Sequence, residues 1–273
     1  MPVHLGIDLA WAPRARTGLA VVDATGRLIA STSVRTDDEI AAFLNPHLTP
    51  DTVVAIDAPL VVPNPTGSRS CEKALSAVFR AYDAGTHPAN TSHPWFDPPR
   101  GATLAAHFGW DLDPRTVPFA GSPVAIEVYP HPAMVVLFGL GRILPYKNKR
   151  GRTVESLRAA FILLVDHLDR VVGPTLGLET SERWAQIRAV VLTAPRKCDL
   201  RVVEDEIDAI LCAYLAWLWG RRDPSMEVFG DVELGYIVTP GRPTVSPTPR
   251  PTKPSALARA SAPAVQSSSR QPG

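Results

Sequence analysis

The sequence predicts an α/β fold built on a mixed β-sheet, and two observations support this prediction. The first third of the chain holds three short apolar runs separated by turn residues, which is the pattern of an antiparallel meander. Beyond them, helical periodicity alternates with continuous apolar runs of strand length, typical of parallel strands buried on both faces. Strands followed by such an alternation are typical of a sheet with helices packed on it.

The meander occupies the N-terminal region. Its three predicted strands are residues 4–10, 17–23 and 27–34. Gly26 lies between the last two, where a tight turn needs a positive φ that glycine adopts at little cost. Residues 37–48 then have apolar side chains at helical spacing, and Asp37 and Asp38 suit the N-terminal end of that helix.

Two further strands and several helices follow. Residues 53–60 and 124–128 are apolar runs that we assign to buried strands. Between them, the pattern predicts a helical insertion over residues 70–84 and 103–110. After the last strand, helices are predicted over residues 132–139, 154–171, 181–193 and 204–219.

The composition changes near residue 240. Residues 241–273 hold seven Pro, six Ser and three Thr, so this segment has too little apolar surface to form a core. It also has five basic residues and no acidic one, whereas residues 1–240 have 23 basic and 27 acidic residues. We therefore predict a mildly acidic folded domain over residues 1–240 and a disordered basic tail over residues 241–273.

Several protein classes are disfavoured. Asp8 interrupts the apolar run near the N-terminus, which a signal peptide would keep uncharged. The longest apolar stretch, residues 209–220, is shorter than the roughly 18 to 20 residues of a membrane span. Three cysteines without a CxxC pair predict neither a disulfide framework nor a zinc site. We expect a cytoplasmic protein without membrane association, and the sequence does not indicate its oligomeric state.

Three carboxylates stand late in predicted strands. Asp8, Asp57 and Glu127 each interrupt an apolar run. A buried ionised carboxylate is unfavourable without a compensating cation, and ligand sites in open α/β sheets form at the carboxyl ends of strands. The three together predict one site, although any one of them alone could be a turn cap or a salt-bridge partner.

A fourth candidate, Asp208, lies in the predicted helix over residues 204–219. At about 100° per residue, Asp208 projects into the apolar sector of that helix, and Asp205 lies at the edge of the same sector. An aspartate on a buried helix face is an exception to the usual partition of charged residues. Asp205 has an alternative role as favourable charge in the first turn of the helix.

Oxygen donors of this kind favour a hard divalent cation. We predict that Asp8, Asp57, Glu127 and Asp208 bind Mg²⁺ or Mn²⁺, as two ions about 3.5–4 Å apart, with Asp205 assisting. Two such ions would activate water and stabilise the leaving oxygen of a phosphodiester. The predicted activity is therefore hydrolysis of nucleic acid, with DNA and RNA not distinguished.

Six sequence blocks resemble a known family. They are GIDLAWAPRARTG, VAIDAPL, RSCEKAL, IEVYPHPA, PYKNKRGR and EIDAIL. In this order, over about residues 3–240, they are similar to domain-of-unknown-function family 429, whose members are predicted to be RNase H-like nucleases. The resemblance implies an RNase H-like fold: a five-stranded mixed sheet of order 3-2-1-4-5, flanked by helices, whose first three strands are antiparallel.

The resemblance also implies roles for the carboxylates. Asp8 matches the first catalytic aspartate on the first strand, and Asp57 matches the acidic residue that ends the fourth strand. Glu127 stands at the fifth-strand position that some RNase H-like nucleases use instead. Asp205 and Asp208 match a D-x-x-D pattern on the terminal helix, which is similar to the Holliday-junction resolvase branch.

Basic residues supply further candidates. Lys147 matches the lysine of a Tyr-Lys pair in the family, which implies that it approaches the scissile phosphate. Arg14 and Arg16 either clamp a phosphate or solubilise a hairpin loop. Three other basic residues of the turn that holds Lys147 are predicted to be solvated surface: Lys149, Arg150 and Arg152.

Other motifs are less informative. Arg69 and Glu72, in the RSCEKAL block, have open roles between helix capping and substrate contact. His131 is the one histidine near the predicted site, and without HxH or HExxH spacing a zinc hydrolase is poorly supported. Neither a dinucleotide-binding nor a P-loop glycine motif occurs in the sequence.

The leading hypothesis is a metal-dependent nuclease that acts through Asp8, Asp57, Glu127, Asp208, Asp205 and Lys147. One alternative is an actin-like or sugar-kinase-like phosphotransferase, which shares the RNase H-like core and would bind a nucleotide. Another is a catalytically silent binding module in which the carboxylates have a structural role.

Overall fold

The computed structural model describes residues 1–12 and 15–250, and within these residues five strands form one sheet of order β3-β2-β1-β4-β5. Strand β1 pairs antiparallel with β2 and parallel with β4, β3 pairs antiparallel with β2, and β5 pairs parallel with β4. The predicted α/β class, mixed sheet and strand order are confirmed. The strand bounds are Val3–Asp8 (β1), Thr17–Val22 (β2), Leu28–Val34 (β3), Thr52–Asp57 (β4) and Val124–Glu127 (β5).

Helices cover both faces of the sheet. Two of them, α2 and α3, lie between β4 and β5 in the chain, as the predicted insertion requires. The helix bounds are Asp37–Leu44 (α1), Ser70–Phe79 (α2), Arg100–Phe108 (α3), Pro130–Leu137 (α4), Val154–Val171 (α5), Gly173–Leu176 (α6), Glu182–Thr193 (α7) and Lys197–Gly220 (α8).

Strand β4 shows how the core is divided. Because side chains alternate across a strand, Val53 and Ala55 enter one apolar cluster, which includes residues of α5, α7 and α8. Val54 and Ile56 enter another, which includes residues of α1 and α3. All four side chains are fully buried, which agrees with the continuous apolar run from which the strand was predicted.

Helix α8 lies directly on the backbone of the sheet. A Cβ atom on Gly6 of β1 would lie 2.0 Å from the carbonyl oxygen of Ala209, and one on Gly18 of β2 would lie 1.8 Å from that of Asp205. Two glycines facing the helix therefore permit an approach that any side chain would prevent. Helix α8 begins at Lys197, seven residues before its predicted start, where Asp199 accepts a hydrogen bond from the Arg196 backbone N–H.

A β-hairpin that the sequence patterns did not predict follows α8. Its strands, β6 (Met226–Asp231) and β7 (Gly235–Pro240), pair antiparallel. The Tyr236 hydroxyl donates to the Leu112 carbonyl oxygen at 2.8 Å and lies 3.2 Å from the Ala125 carbonyl oxygen. The hairpin is thereby joined to the edge of the sheet at β5.

The predicted tail lies only partly within the described residues. Between residues 241 and 250, Val245 accepts a hydrogen bond from the Tyr82 hydroxyl, and the Thr248 N–H donates to the Gly141 carbonyl. Residues 251–273 lie outside the described part of the chain, as does Arg14. No helix of the described residues is long and apolar enough to cross a bilayer.

Candidate active site

The site lies where β1 and β4 end side by side. Asp8 and Asp57 are the last residues of these parallel strands and are register partners, so both carboxylates stand at the same edge of the sheet. The Gly6 and Gly18 contacts bring α8 against this edge and place Asp205 and Asp208 beside Asp8. Asp208 is 1% exposed, whereas Asp8, Asp57 and Asp205 are half-buried.

Lys147 is the cation of this site. Its Nζ lies 2.6 Å from Asp208 Oδ2, 3.3 Å from Glu204 Oε1 and 3.9 Å from Asp8 Oδ2. Burial opposes the charged form of this lysine, but Asp208 and the neighbouring carboxylates outweigh burial and raise its pKa well above the ordinary value. Lys147 is therefore a charged ammonium held between three carboxylates of the described residues.

Tyr146 fixes the orientation of Asp208. Its hydroxyl donates to Asp208 Oδ1 at 2.9 Å and lies 3.1 Å from Oδ2. Tyr146 is fully buried, and its ring packs edge-on against Phe161 of α5. Burial and the Asp208 charge raise the pKa of Tyr146, so the phenol keeps the proton with which it holds the aspartate.

Burial and mutual repulsion weaken the acidity of the carboxylates. Burial, more than the nearby Asp57 and Asp208 charges, raises the pKa of Asp8, although Lys147 opposes the shift. Burial, with the Asp208 and Glu127 charges, raises the pKa of Asp57 to about 8. Burial, with the Glu204 and Asp208 charges, raises the pKa of Asp205 to about 6. The site thus contains more buried carboxyl groups than Lys147 alone can keep ionised.

The donor atoms of this cluster fit one kind of metal ion. Among the described residues, no three His, Cys, Asp or Glu side chains are grouped closely enough to bind one ion. Mg²⁺, however, commonly takes only one or two carboxylates and completes its shell with water and substrate phosphate. Asp8 Oδ2 is a buried oxygen without a hydrogen-bond partner in the described structure, and it lies on the edge shared with Asp57. These residues fit an ion of that kind.

Glu127 is bound by an arginine. Arg69 Nη1 donates to Glu127 Oε2 at 2.8 Å, and Arg69 Nη2 donates to Oε1 at 2.5 Å. The Leu60 backbone N–H donates to Oε2 as well, at 2.8 Å. Both oxygens of this buried carboxylate therefore have partners, and the metal-ligand role expected of Glu127 stays a prediction. Its charge still acts on Asp57, whose pKa it helps to raise.

Arg69 and Glu72 have the capping role that the sequence left open. Glu72 Oε2 accepts a hydrogen bond from the Arg69 backbone N–H at 3.0 Å, at the start of α2. Glu72 Oε1 also accepts from Arg69 Nε at 2.9 Å. Arg69 is thus held between Glu72 and Glu127, which fixes the segment after β4 against β5. Glu204 and Trp11 are two residues near the site that the sequence patterns did not single out.

Two large cavities adjoin the acidic cluster. One, of about 600 Å³, is lined by Asp8, Glu204 and Asp205 together with Arg16, and Trp11 lies at its wall. The other, of about 500 Å³, is lined by basic side chains that include Lys149 and Arg152, and by His131. Lys147 lines both.

His131 is neutral at neutral pH. Burial, with the nearby Lys147 and Lys149 charges, lowers the pKa of its imidazole to about 3. His131 Nδ1 is 3.1 Å from the Tyr129 hydroxyl.

The comparisons with known proteins give a family. The model of the family described as "Protein of unknown function (DUF429)" matches residues 6–233. The match begins within β1 and includes the other four strands of the sheet and all of α8. Searches of the curated proteins and of the solved structures found no match.

Proposed function

From the premise that this chain belongs to the DUF429 family, we propose that it is a divalent-metal-dependent nuclease. The observation that supports the proposal is the convergence of Asp8, Asp57 and Asp208 at the carboxyl edge of a sheet with RNase H-like topology. Ligand sites of open α/β sheets form at such edges, and carboxylate oxygens suit Mg²⁺ or Mn²⁺.

Each residue of the site has a separate role in the proposed hydrolysis. Asp8 and Asp57 would hold the cation, whose chemistry is Lewis-acid activation of a phosphodiester and of water. Tyr146 keeps Asp208 in one orientation by its hydrogen bond. The Lys147 ammonium, which lines both cavities, is placed to stabilise negative charge on a phosphate that enters from either side. Because Asp208 is buried, water screens its electrostatic interactions with Tyr146 and Lys147 only weakly.

The test is a cleavage assay on labelled single-stranded DNA and RNA with Mg²⁺ or Mn²⁺. We expect wild type to cleave at least one of them, and the Asp8→Asn and Asp208→Asn variants to cleave about 100-fold more slowly or not at all. Asp38→Asn is the matched control, because Asp38 is an exposed aspartate at the start of α1. Cleavage that survives unchanged in both site variants would contradict the proposal.

A second candidate is a binding module without catalysis. It is favoured by the Lys147 contact, since an ammonium 2.6 Å from Asp208 already neutralises part of the cluster without a metal. Calorimetric titration that detects no Mg²⁺ or Mn²⁺ binding would favour this candidate over the nuclease. A thermal-shift screen with nucleotides tests the phosphotransferase alternative in the same preparation.

A further inference from the structure

We infer that the ligand of this site is a single nucleic-acid strand that crosses the acidic cluster, with phosphates in both adjoining cavities and no free end at the centre. The inference deepens the proposed function and rests on it for the identity of the chemistry at the cluster. It implies that cleavage is internal to the strand.

The cavity on the α2 side has the charge for a polyanion. Its lining residues include six Lys or Arg side chains, Arg80, Arg142, Lys147, Lys149, Arg152 and Arg250. Asp83 is the one carboxylate among the described residues that line it, and it is paired with Arg142 and Arg250. A cavity with this excess of positive charge, in a domain that is acidic overall, favours phosphate groups.

The cavity on the β1 side is lined by arginines and by half-buried carboxylates. Arg16, Arg35 and Arg201 line it together with three carboxylates, Asp8, Glu204 and Asp205, which lie around Lys147. Flanking phosphates would contact the arginines, while the central phosphate would lie at the Lys147 ammonium among the carboxylates. Trp11, 40% exposed, adds an aromatic face on which a base can stack.

Continuity between the two cavities comes from Lys147. Its side chain lines both cavities, and its Nζ is also in contact with the acidic cluster. A chain of phosphates that enters through one cavity and leaves through the other must therefore pass the ammonium. A mononucleotide or a strand end would need only one of the two cavities, and the second basic surface would have no function.

The depth of the cluster favours one strand over a duplex. Asp208 is 1% exposed and the Asp8 side chain 15%, so the central phosphate must descend below the rim of the cavities. A single strand bends freely enough to do this, whereas a duplex is stiff over tens of base pairs. Bases freed from pairing are also available to stack on Trp11.

Binding without cleavage tests the path. Fluorescence anisotropy with EDTA present would measure the affinity of labelled oligonucleotides of about 4 and about 12 nucleotides, a range that spans known single-strand site sizes. We expect the longer strand to bind at least about tenfold more tightly, and Arg201→Glu and Lys149→Glu, one from each cavity, each to weaken its binding about tenfold. Arg170→Glu is the control, since Arg170 is exposed on α5 and lines neither cavity.

A circular single strand distinguishes this inference from the proposed function. We expect the circle to bind as tightly as the linear strand and, with Mg²⁺ or Mn²⁺, to be opened. If circle and linear strand both bind and neither is cleaved, the path stands while the nuclease proposal fails. A linear strand that is cleaved while the bound circle stays closed overturns the inference that cleavage is internal. Loss of binding on circularisation, preference for duplex, or insensitivity to either cavity variant would overturn the path, whatever the cleavage assay shows.

Discussion

At the scale of single residues, the acidic cluster depends on Lys147. The ammonium contacts Asp208, Glu204 and Asp8, so it occupies a position among the carboxylates that a divalent cation would share. The Lys147 charge and a metal ion are therefore expected to compete for the same negative charge. Arg152 donates a hydrogen bond to the Lys147 carbonyl oxygen, which ties this turn together.

Removal of the lysine should strengthen metal binding. In Lys147→Met, we expect the affinity for Mn²⁺ to rise about tenfold. Loss of the ammonium removes a repulsion that is twice as large for Mn²⁺ as for a proton, so the carboxylates bind the metal more strongly in spite of proton competition. Isothermal titration calorimetry of wild type and variant at the same pH measures the change. Lys149→Met, from the same turn but outside the contacts with the cluster, should keep the wild-type affinity. Equal or weaker binding by Lys147→Met would contradict the competition.

The Arg69–Glu127 pair makes a separate prediction. Glu127→Gln leaves the buried Arg69 guanidinium with Glu72 as its remaining charged partner, so the loss of the charged hydrogen bonds to Glu127 should lower the free energy of unfolding by about 1–3 kcal/mol. Urea unfolding measures the loss. Mn²⁺ affinity should stay within about twofold of wild type in Glu127→Gln. A large loss of affinity with intact folding would instead assign Glu127 to the metal.

The strand-end carboxylates could be predicted from the sequence because a charged residue inside an apolar run is a local pattern. The partners of these carboxylates could not be predicted in this way. Arg69 and Glu127 are 58 positions apart, and only the tertiary structure brings them together. Similarly, neither charge nor periodicity distinguishes Lys147, which contacts the carboxylates, from Lys149 and Arg150, which stay exposed.

At the scale of elements, α8 and the first two strands form the frame of the site. Gly18 is the register partner of Asp8, and its missing side chain lets the Asp205 backbone approach β2. The placement of the acidic face of α8 therefore depends on two glycines in the strands below it. The alternative role of Asp205 as a first-turn charge is excluded, because α8 begins at Lys197 and Asp205 lies in its third turn.

Gly18→Ala tests this packing. The added Cβ would lie 1.8 Å from the Asp205 carbonyl oxygen, so the helix or the strand must shift. We expect unfolding free energy to fall by about 1–3 kcal/mol or more in chemical denaturation. Gly173→Ala is the control, since its nearest contact would be an ordinary 3.5 Å. Wild-type stability in Gly18→Ala would show that α8 does not need this close approach.

Elements with strong periodicity were predicted well, and the bounds of α5 agree with the prediction at both ends. The hairpin was missed for a physical reason. In β6, Phe229 is the one buried side chain, and β7 holds a short apolar run between Gly235 and Pro240. Neither strand has the alternation by which an isolated strand is recognised. Their stability comes from packing on α2, α4 and β5, which sequence periodicity does not report.

At the scale of the whole molecule, the near-neutral formal charge of +1 is a sum over unlike regions. An acidic domain contains basic surfaces concentrated in two cavities, and the carboxylates at their junction are buried. The sequence predicted the acidic domain and the basic tail as separate regions. It could not predict the basic cavities, because their side chains come from distant segments such as residues 80, 142 and 250.

The pH dependence of stability provides a test at this scale. The pKa of His131 is lowered to about 3 in the folded protein. Between about pH 6.5 and 3, the imidazole is therefore protonated in the unfolded chain but neutral in the folded protein, which lowers the free energy of unfolding. The contribution of His131 is present above pH 6.5 and is lost as pH falls from 6.5 towards 3, by at most about 1.4 kcal/mol per pH unit.

Comparison with a variant isolates this histidine from the carboxylates. We expect His131→Phe to lose less stability than wild type between pH 6.5 and 4 in urea titrations. His107→Phe, at an exposed position on α3, should keep the wild-type slope. Parallel pH profiles for wild type and His131→Phe would show that this imidazole does not resist protonation in the folded protein.

We propose that two carboxylates of the cluster formed by Asp8, Asp57 and Asp208 bind a divalent cation at a position that Lys147 occupies in part. Anomalous diffraction from crystals of the full chain soaked in Mn²⁺ tests it most directly. We predict a manganese peak bonded to Asp8 and to Asp57 or Asp208, with the Lys147 ammonium displaced from Asp208. A manganese-free cluster in which Lys147 keeps its contact with Asp208 at saturating Mn²⁺ would contradict it.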